Sequence, residues 1–152
     1  GHPSRSRGVY VLEKTVDIAA VCTAGGISAL TAADIIQAID VPAESYIIHA
    51  GVEVLTALNG TTPTLDVDFA AGDDFVDGFD ATGTGYAGAG TNGHVDYTAV
   101  TTFSNRITAT DTIDIKVNAG ANDVSTGKIR VYAILADISG LDETDSLQAV
   151  TF

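Results

Sequence analysis

The chain has 152 residues, of which 45% are hydrophobic, so it can form one domain with a buried core. Its formal net charge of −13 argues against nucleic acid as a partner, because phosphates would be repelled. No run of about 18 apolar residues is present, so we expect no transmembrane helix and no membrane partner. Cys22 stands alone, which excludes an internal disulfide, and its apolar surroundings predict a small buried side chain.

The charge is distributed unevenly along the chain. The first eight residues include Arg5 and Arg7 and no acid, whereas the remainder carries five basic and twenty acidic side chains. With no large apolar side chain to bury, residues 1–8 are predicted to be an extended basic arm. We interpret this arm as a tether in which Arg5 and Arg7 bind a partner. Residues 9–141 are predicted to form a β-sandwich domain, and 142–152 a C-terminal tail.

Composition and periodicity favour strands throughout the domain. Sixteen glycines, four glutamates and many threonines and aspartates are typical of strands and turns rather than helices. The alternation of apolar and polar residues is clearest in 45–58 and 128–138. In chain order, strands are predicted at 9–21, 34–41, 45–58, 64–70, 95–103, 106–110, 112–118 and 128–138.

The strand over 45–58 leads into Asn59-Gly60, which predicts a β-hairpin over 46–69 because both residues tolerate a positive φ. Its predicted apolar face consists of Tyr46, Ile48, Ala50, Val52 and Val54. Residues 71–93 contain seven glycines and are predicted to be a long irregular loop. A loop of this length in a compact domain is often an interaction surface.

About eight strands without a sustained helical period predict an all-β fold. The architecture we expect is a two-sheet antiparallel jelly-roll-like sandwich with an extended N-terminal arm. An immunoglobulin-like sandwich is the alternative, which the absence of Trp and of a Cys pair makes weaker.

One acidic cluster is a candidate cation site. Asp73, Asp74, Asp77 and Asp80 place four carboxylates within eight residues, and calcium prefers oxygen ligands on a flexible loop. The spacing does not follow the EF-hand pattern, and no bidentate Glu stands at the matching position. We therefore expect a solvated acidic loop and leave cation binding open.

The remaining candidates for chemistry lack the neighbours that chemistry requires. His49 and His94 have no Cys or Glu at metal-ligand spacing. The sequence contains no nucleophile elbow, no zinc-protease motif and no Walker loop. We expect no enzyme activity, no metal and no cofactor, and we expect function to depend on contacts with other proteins.

Three segments carry a resemblance to a known group of proteins. They are SYIIHAGVEVLTALNGTTPTLDVDF at 45–69, DDFVDG at 73–78 and GKIRVYAILADI at 127–138. Together they resemble small structural proteins of tailed bacteriophages, including cyanophages, over residues 9–139.

This resemblance implies a capsid decoration, or cement, protein located on the capsid outer surface of the virion. It further implies a homotrimer that binds the major capsid protein and clamps the head, with residues 1–8 reaching across the shell. Two alternatives stay open. One is another virion component, such as a head-fibre, neck or tail-tip β-domain, and the other is a cation- or glycan-binding β-sandwich module.

Overall fold

The computed structural model describes residues 8–69, 75–88, 106–118 and 123–139. These residues contain nine strands and one helix. The bounds are β1 (Val9–Asp17), α1 (Ile18–Gly25), β2 (Ile35–Val41), β3 (Ser45–Thr56), β4 (Thr64–Asp68), β5 (Val76–Asp80), β6 (Gly85–Gly88), β7 (Arg106–Ile107), β8 (Asp111–Asn118) and β9 (Lys128–Asp137). Within these ranges, no helix has the length and apolarity needed to cross a membrane.

The strands form two antiparallel sheets that share one hydrophobic core. The first sheet has the order β1-β9-β3-β6, with β7 also paired to β3, and the second has the order β2-β8-β4-β5. Four pairs are nested: β1 with β9, β2 with β8, β3 with β6 and β4 with β5. A long antiparallel ribbon rolled into a sandwich gives this nesting, which confirms the predicted jelly-roll-like fold.

The predicted hairpin over 46–69 is wrong. β3 lies in the first sheet and β4 in the second, so residues 57–63 cross between sheets instead of turning back within one. Leu58 is buried, which draws this segment into the core. The side-chain oxygen of Asn59 accepts backbone N–H groups of Ser125 and Thr126, both at 2.8 Å. Asn59 therefore ties the crossover to the segment before β9, and this long-range contact prevails over the local turn signal.

The predicted strand over 9–21 ends earlier than expected. β1 stops at Asp17, whose carboxylate accepts the N–H groups of Ala19 and Ala20 and so caps α1. Gly26 ends the helix with a left-handed backbone, φ 67°. Ile18 and Cys22 lie one turn apart and are the buried residues of the helix, which confirms the burial of Cys22.

The two clearest strands bury the expected faces, with one irregularity. Alternate residues of β9 from Ile129 to Leu135 are fully buried, as predicted. In β3, the pairing with β9 shifts between Ile47 and His49, and this bulge reverses the alternation. Ile47 is therefore buried, while Tyr46 and Ile48, which were predicted to be core, are 43% and 47% exposed.

The predicted irregular loop over 71–93 is wrong in its described part. Residues 76–80 and 85–88 are strands β5 and β6, which close the edges of the two sheets opposite β2 and β1. Phe75 and Val76 are buried and anchor this region. The predicted strand 95–103 lies outside the described residues, as do the arm except Gly8 and the tail 142–152. The predicted bounds of arm, domain and tail stay predictions.

Candidate interaction surfaces

An exposed apolar patch covers one end of the outer face of the first sheet. The first four residues of β1 are all apolar, so both faces of the strand are apolar there. Tyr10 and Leu12 pack against the core, and Val9 and Val11 point outward from the other face. Val9 and Val11 are 62% and 61% exposed and lie opposite Ala136 and Ile134 of β9. We define the apolar patch as Val9, Val11, Tyr46, Ile48 and Ile134.

Next to this patch, three ring side chains form a hydrogen-bonded cluster. The Tyr132 hydroxyl donates to the Tyr86 hydroxyl oxygen at 2.6 Å. The Nε2 atom of His49 lies 3.1 Å from the Tyr132 oxygen. The direction of the hydrogen bond between His49 Nε2 and the Tyr132 hydroxyl depends on the tautomer of the imidazole. The two tyrosine rings lie nearly parallel, with centroids 5.9 Å apart.

Two glycines create the flat floor on which Tyr132 lies. A Cβ atom added at Gly51 would stand 2.4 Å from the Tyr132 hydroxyl oxygen, and one at Gly88 would stand 2.7 Å from it. Gly51 and Gly88 are directly paired across β3 and β6. Glycine at both positions is therefore required for the ring to cross these two strands.

The surroundings favour the neutral forms of His49 and Tyr132. Partial burial lowers the pKa of His49 below its usual 6.5, which favours the neutral imidazole. Burial, and then the hydrogen bond with Tyr86, raise the pKa of Tyr132. The cluster therefore extends the apolar patch with neutral hydrogen-bonding groups.

Ion pairs also involve charged side chains of the first sheet. The Arg130 guanidinium binds the Glu53 carboxylate, with Nε donating to Oε2 at 3.0 Å. This is a cross-strand pair between β9 and β3, and its two nitrogen donors give it more geometric definition than a single contact. Two further ion pairs among the described residues, with N–O distances of 3.7 and 3.8 Å, are Lys128–Asp17 and Arg106–Glu44.

The outer side of the second sheet is acidic, and part of it is buried. Asp66 and Asp68 share one face of β4, as their alternation predicts. Asp66 is nevertheless only 3% exposed, and Asp68 only 7%. The Asp66 carboxylate accepts the Gly78 N–H at 2.8 Å and the side-chain amide of Asn118. Asp66 therefore joins β4 to β5 and β8, and we assign it a structural role.

Another carboxyl group of this sheet, that of Asp114, has a raised pKa. Asp114 of β8 is directly paired with Asp68 of β4. Burial, with a smaller contribution from the charge of Asp111, raises the pKa of Asp114, and a hydrogen bond from Thr112 opposes this shift. The second sheet therefore concentrates negative charge.

The candidate cation site is only partly described. Asp73 and Asp74 lie outside the described residues, while Asp77 and Asp80 belong to β5. Asp80 accepts the Thr82 N–H at 2.8 Å, and hydrogen bonding to Thr82 lowers the pKa of Asp80. Among the described residues, no group of three or more His, Cys, Asp and Glu side chains is placed to hold a metal ion. Cation binding by the four aspartates stays untested.

The other residues singled out from the sequence have separate outcomes. Arg5 and Arg7, the predicted tether, lie outside the described residues, as does His94. His49, which has no Cys or Glu at metal-ligand spacing in the sequence, belongs to the cluster with Tyr132. The sequence contained a signal for that cluster, because His49 and Gly51 share a strand face and glycine within a strand often marks a close approach.

Comparison with solved structures finds chains with a similar fold, among them two with TM-scores of 0.50 and 0.57. One belongs to the capsid of Ralstonia phage GP4, with a TM-score of 0.57 and 17% identity, covering 90% of this chain and 89% of that chain. The other belongs to the cyanophage Pam1 capsid asymmetric unit, with a TM-score of 0.50 and 17% identity, covering 85% and 84%. Both are chains of phage capsids. No protein-family model and no curated protein matches the sequence. At this identity the likeness shows a common fold.

Proposed function

We propose that this protein is a virion structural protein of a bacteriophage, and specifically a capsid decoration (cement) protein. The observation that carries the proposal is the coverage of the fold likeness. The match to the Ralstonia phage GP4 capsid chain spans 90% of this chain and 89% of that chain. The two chains therefore have comparable lengths and share one architecture nearly from end to end.

The proposed partner is the major capsid protein, contacted on the outer surface of the shell. The mechanism is multivalent binding without catalysis. Weak contacts made by each copy of a homotrimer add up, because the second and third contacts form at high effective concentration. In this mechanism Arg5 and Arg7 pair with shell carboxylates, and two hydrogen bonds per guanidinium offset part of the lost hydration.

The test uses the full chain and heads of the phage that encodes it, freed of this protein. Wild type is expected to sediment with the heads and to raise the temperature at which they open. Deletion of residues 1–8 is expected to leave a folded domain, with an unchanged circular dichroism spectrum, that no longer sediments with heads. The double substitution Arg5→Gln and Arg7→Gln retains the length of the arm but removes its charge. It therefore distinguishes the contribution of the two positive charges to binding from that of the length of the arm.

Imaging of complete virions distinguishes the proposed location from the alternatives. Density for this chain on the outer head surface supports the cement function. Density confined to the neck, the tail tip or a head fibre contradicts it and identifies another virion component. A deletion variant that binds heads as well as wild type contradicts the tether function of the arm.

A further inference from the structure

The two sheets of the sandwich differ in charge. The strands of the first sheet carry four acidic side chains and four basic ones, namely Lys14, Arg106, Lys128 and Arg130. The strands of the second sheet carry seven acidic side chains and one basic one, Lys116. The molecule therefore has one electrically balanced sheet and one strongly acidic sheet, although its net charge is −13.

The exposed apolar side chains are also unequally divided. On the strands of the first sheet, Val9, Val11, Tyr46, Ile48 and Tyr86 are each more than 40% exposed. On the strands of the second sheet, Ile35 is the one large apolar side chain of the described residues with comparable exposure, 58%. A contiguous apolar patch bordered by charged side chains is typical of a protein-binding surface, whereas a single exposed apolar residue is ordinary.

We propose that the outer face of the first sheet, with the apolar patch, is the surface that docks on the capsid shell. The inference rests on the proposed function and adds the orientation of the domain: the second sheet faces solvent. Docking through the first sheet removes apolar area from water and leaves its ion pairs largely intact. Docking through the second sheet would desolvate the exposed carboxylates of Asp40, Asp80 and Asp111.

The covalent chain connects this face to the proposed tether. Val9 is both the first residue of β1 and a member of the apolar patch, and Arg7 precedes it by two residues, at most about 7 Å of backbone. A partner held by Arg5 and Arg7 is therefore held beside the patch. The shell surface that fits is apolar under β1 and β9 and carries carboxylates within reach of the arm.

A further feature favours the shell as the partner that covers this face. Within the described residues, β1 is paired on one side only, to β9, so its other edge presents backbone N–H and C=O groups to whatever the arm binds. A shell segment lying along β1 would satisfy these groups.

The test compares a variant of the apolar patch with a control variant on the second sheet. The double substitution Val9→Thr and Val11→Thr keeps side-chain shape and β-propensity but removes apolar surface from the patch. Ile35→Thr is the matched control, because Ile35 is β-branched and similarly exposed on the edge strand of the other sheet. A third variant, Ile48→Thr, probes the patch from β3. Thermal melting verifies folding, co-sedimentation with heads measures the dissociation constant, and sedimentation velocity measures self-association.

The double variant is expected to raise the dissociation constant about tenfold, because each of its two substitutions removes roughly one buried methyl group. Ile48→Thr is expected to raise the dissociation constant a few-fold. Ile35→Thr is expected to bind within about twofold of wild type. Normal head binding by the patch variants, or equal weakening by Ile35→Thr, overturns the inference and leaves the proposed function standing. Loss of a self-associated species with unchanged head binding assigns the patch to a second copy and also overturns it. Failure of wild type to bind heads overturns the proposed function itself.

Discussion

Gly51 and Gly88 determine what the middle of the first sheet can hold. Neither Gly51 nor Gly88 has a positive φ. Glycine is therefore needed at these positions because it has no side chain, and not because of its backbone freedom. The hydroxyl end of Tyr132 occupies the positions where their side chains would stand. Two residues without side chains thereby allow His49, Tyr86 and Tyr132 to join strands β3, β6 and β9 through hydrogen bonds.

We expect Gly51→Ala to destabilise the fold by about 1–3 kcal/mol, the usual cost of overpacking. The added methyl would meet the Tyr132 hydroxyl at 2.4 Å and the backbone oxygen of Ala87 at 2.6 Å, so both the ring and β6 must move. Gly83→Ala is the control, because its Cβ would meet nothing within 4 Å. Urea denaturation followed by fluorescence measures both. Equal midpoints for the two variants would show that the cluster adapts freely.

At the scale of single elements, local signals compete with long-range pairing. Asp17 ends β1 because its carboxylate caps α1, and the polar–apolar alternation through 9–21 conceals this change of structure. In β3, one bulge reverses the alternation and moves Tyr46 and Ile48 from the expected core to the surface. The second irregularity completes the apolar patch.

We expect Asp17→Ala to lower the free energy of unfolding by about 1 kcal/mol, the typical value of a helix N-cap. Asp17 also lies 3.7 Å from Lys128, but an ion pair between half-exposed side chains contributes little. Asp17→Asn separates these effects, because Asn caps helices as well as Asp and removes the charge. Chemical denaturation should place Asp17→Asn close to wild type. A loss as large as that of Asp17→Ala would assign the stabilisation to the ion pair.

At the scale of the whole molecule, the jelly roll separates charge that is mixed along the sequence. The strands from β1 to β4, and again from β7 to β9, alternate between the sheets, so acidic residues from β2, β4, β5 and β8 meet on one side although they are distant in the chain. Asp68 and Asp114 become direct cross-strand neighbours in this way. The balanced sheet and the acidic sheet are therefore consequences of topology.

This contrast predicts opposite effects for the same new side chain on the two sheets. Gln37 is exposed on β2 and paired with Asp114, so Gln37→Lys is expected to stabilise the fold by about 0.2–1 kcal/mol at low ionic strength. Thr15 is exposed on β1 and paired with Arg130, so Thr15→Lys is expected to be neutral or destabilising.

The measurement is the thermal midpoint of each variant at about 10 mM and 1 M salt. Screening shortens the Debye length from about 30 Å to 3 Å over this range, so the difference between the variants should shrink. Equal midpoints at low salt would contradict the charge contrast between the sheets. A difference that persists unchanged at high salt would assign it to packing or strand propensity.

The sequence by itself determined the all-β class, the bounds of most strands to within a few residues, and the alternation of β9. These properties depend on alternation between neighbours in the chain, which a strand converts directly into two faces. Cys22 was predicted to be buried for a similar local reason. The acidic composition and the basic charge of residues 1–8 likewise needed no structure.

Only the tertiary structure decided which strands pair, where the alternation reverses, and which residues from distant strands meet. Asn59-Gly60 has the local chemistry of a hairpin turn, yet the surrounding chain crosses between sheets because β3 is held by β9 and β6 while β4 is held by β8 and β5. His49, Tyr86 and Tyr132 come together only after those pairings form. Strand pairing is set by contacts between residues far apart in sequence, and a local pattern carries no information about its partner.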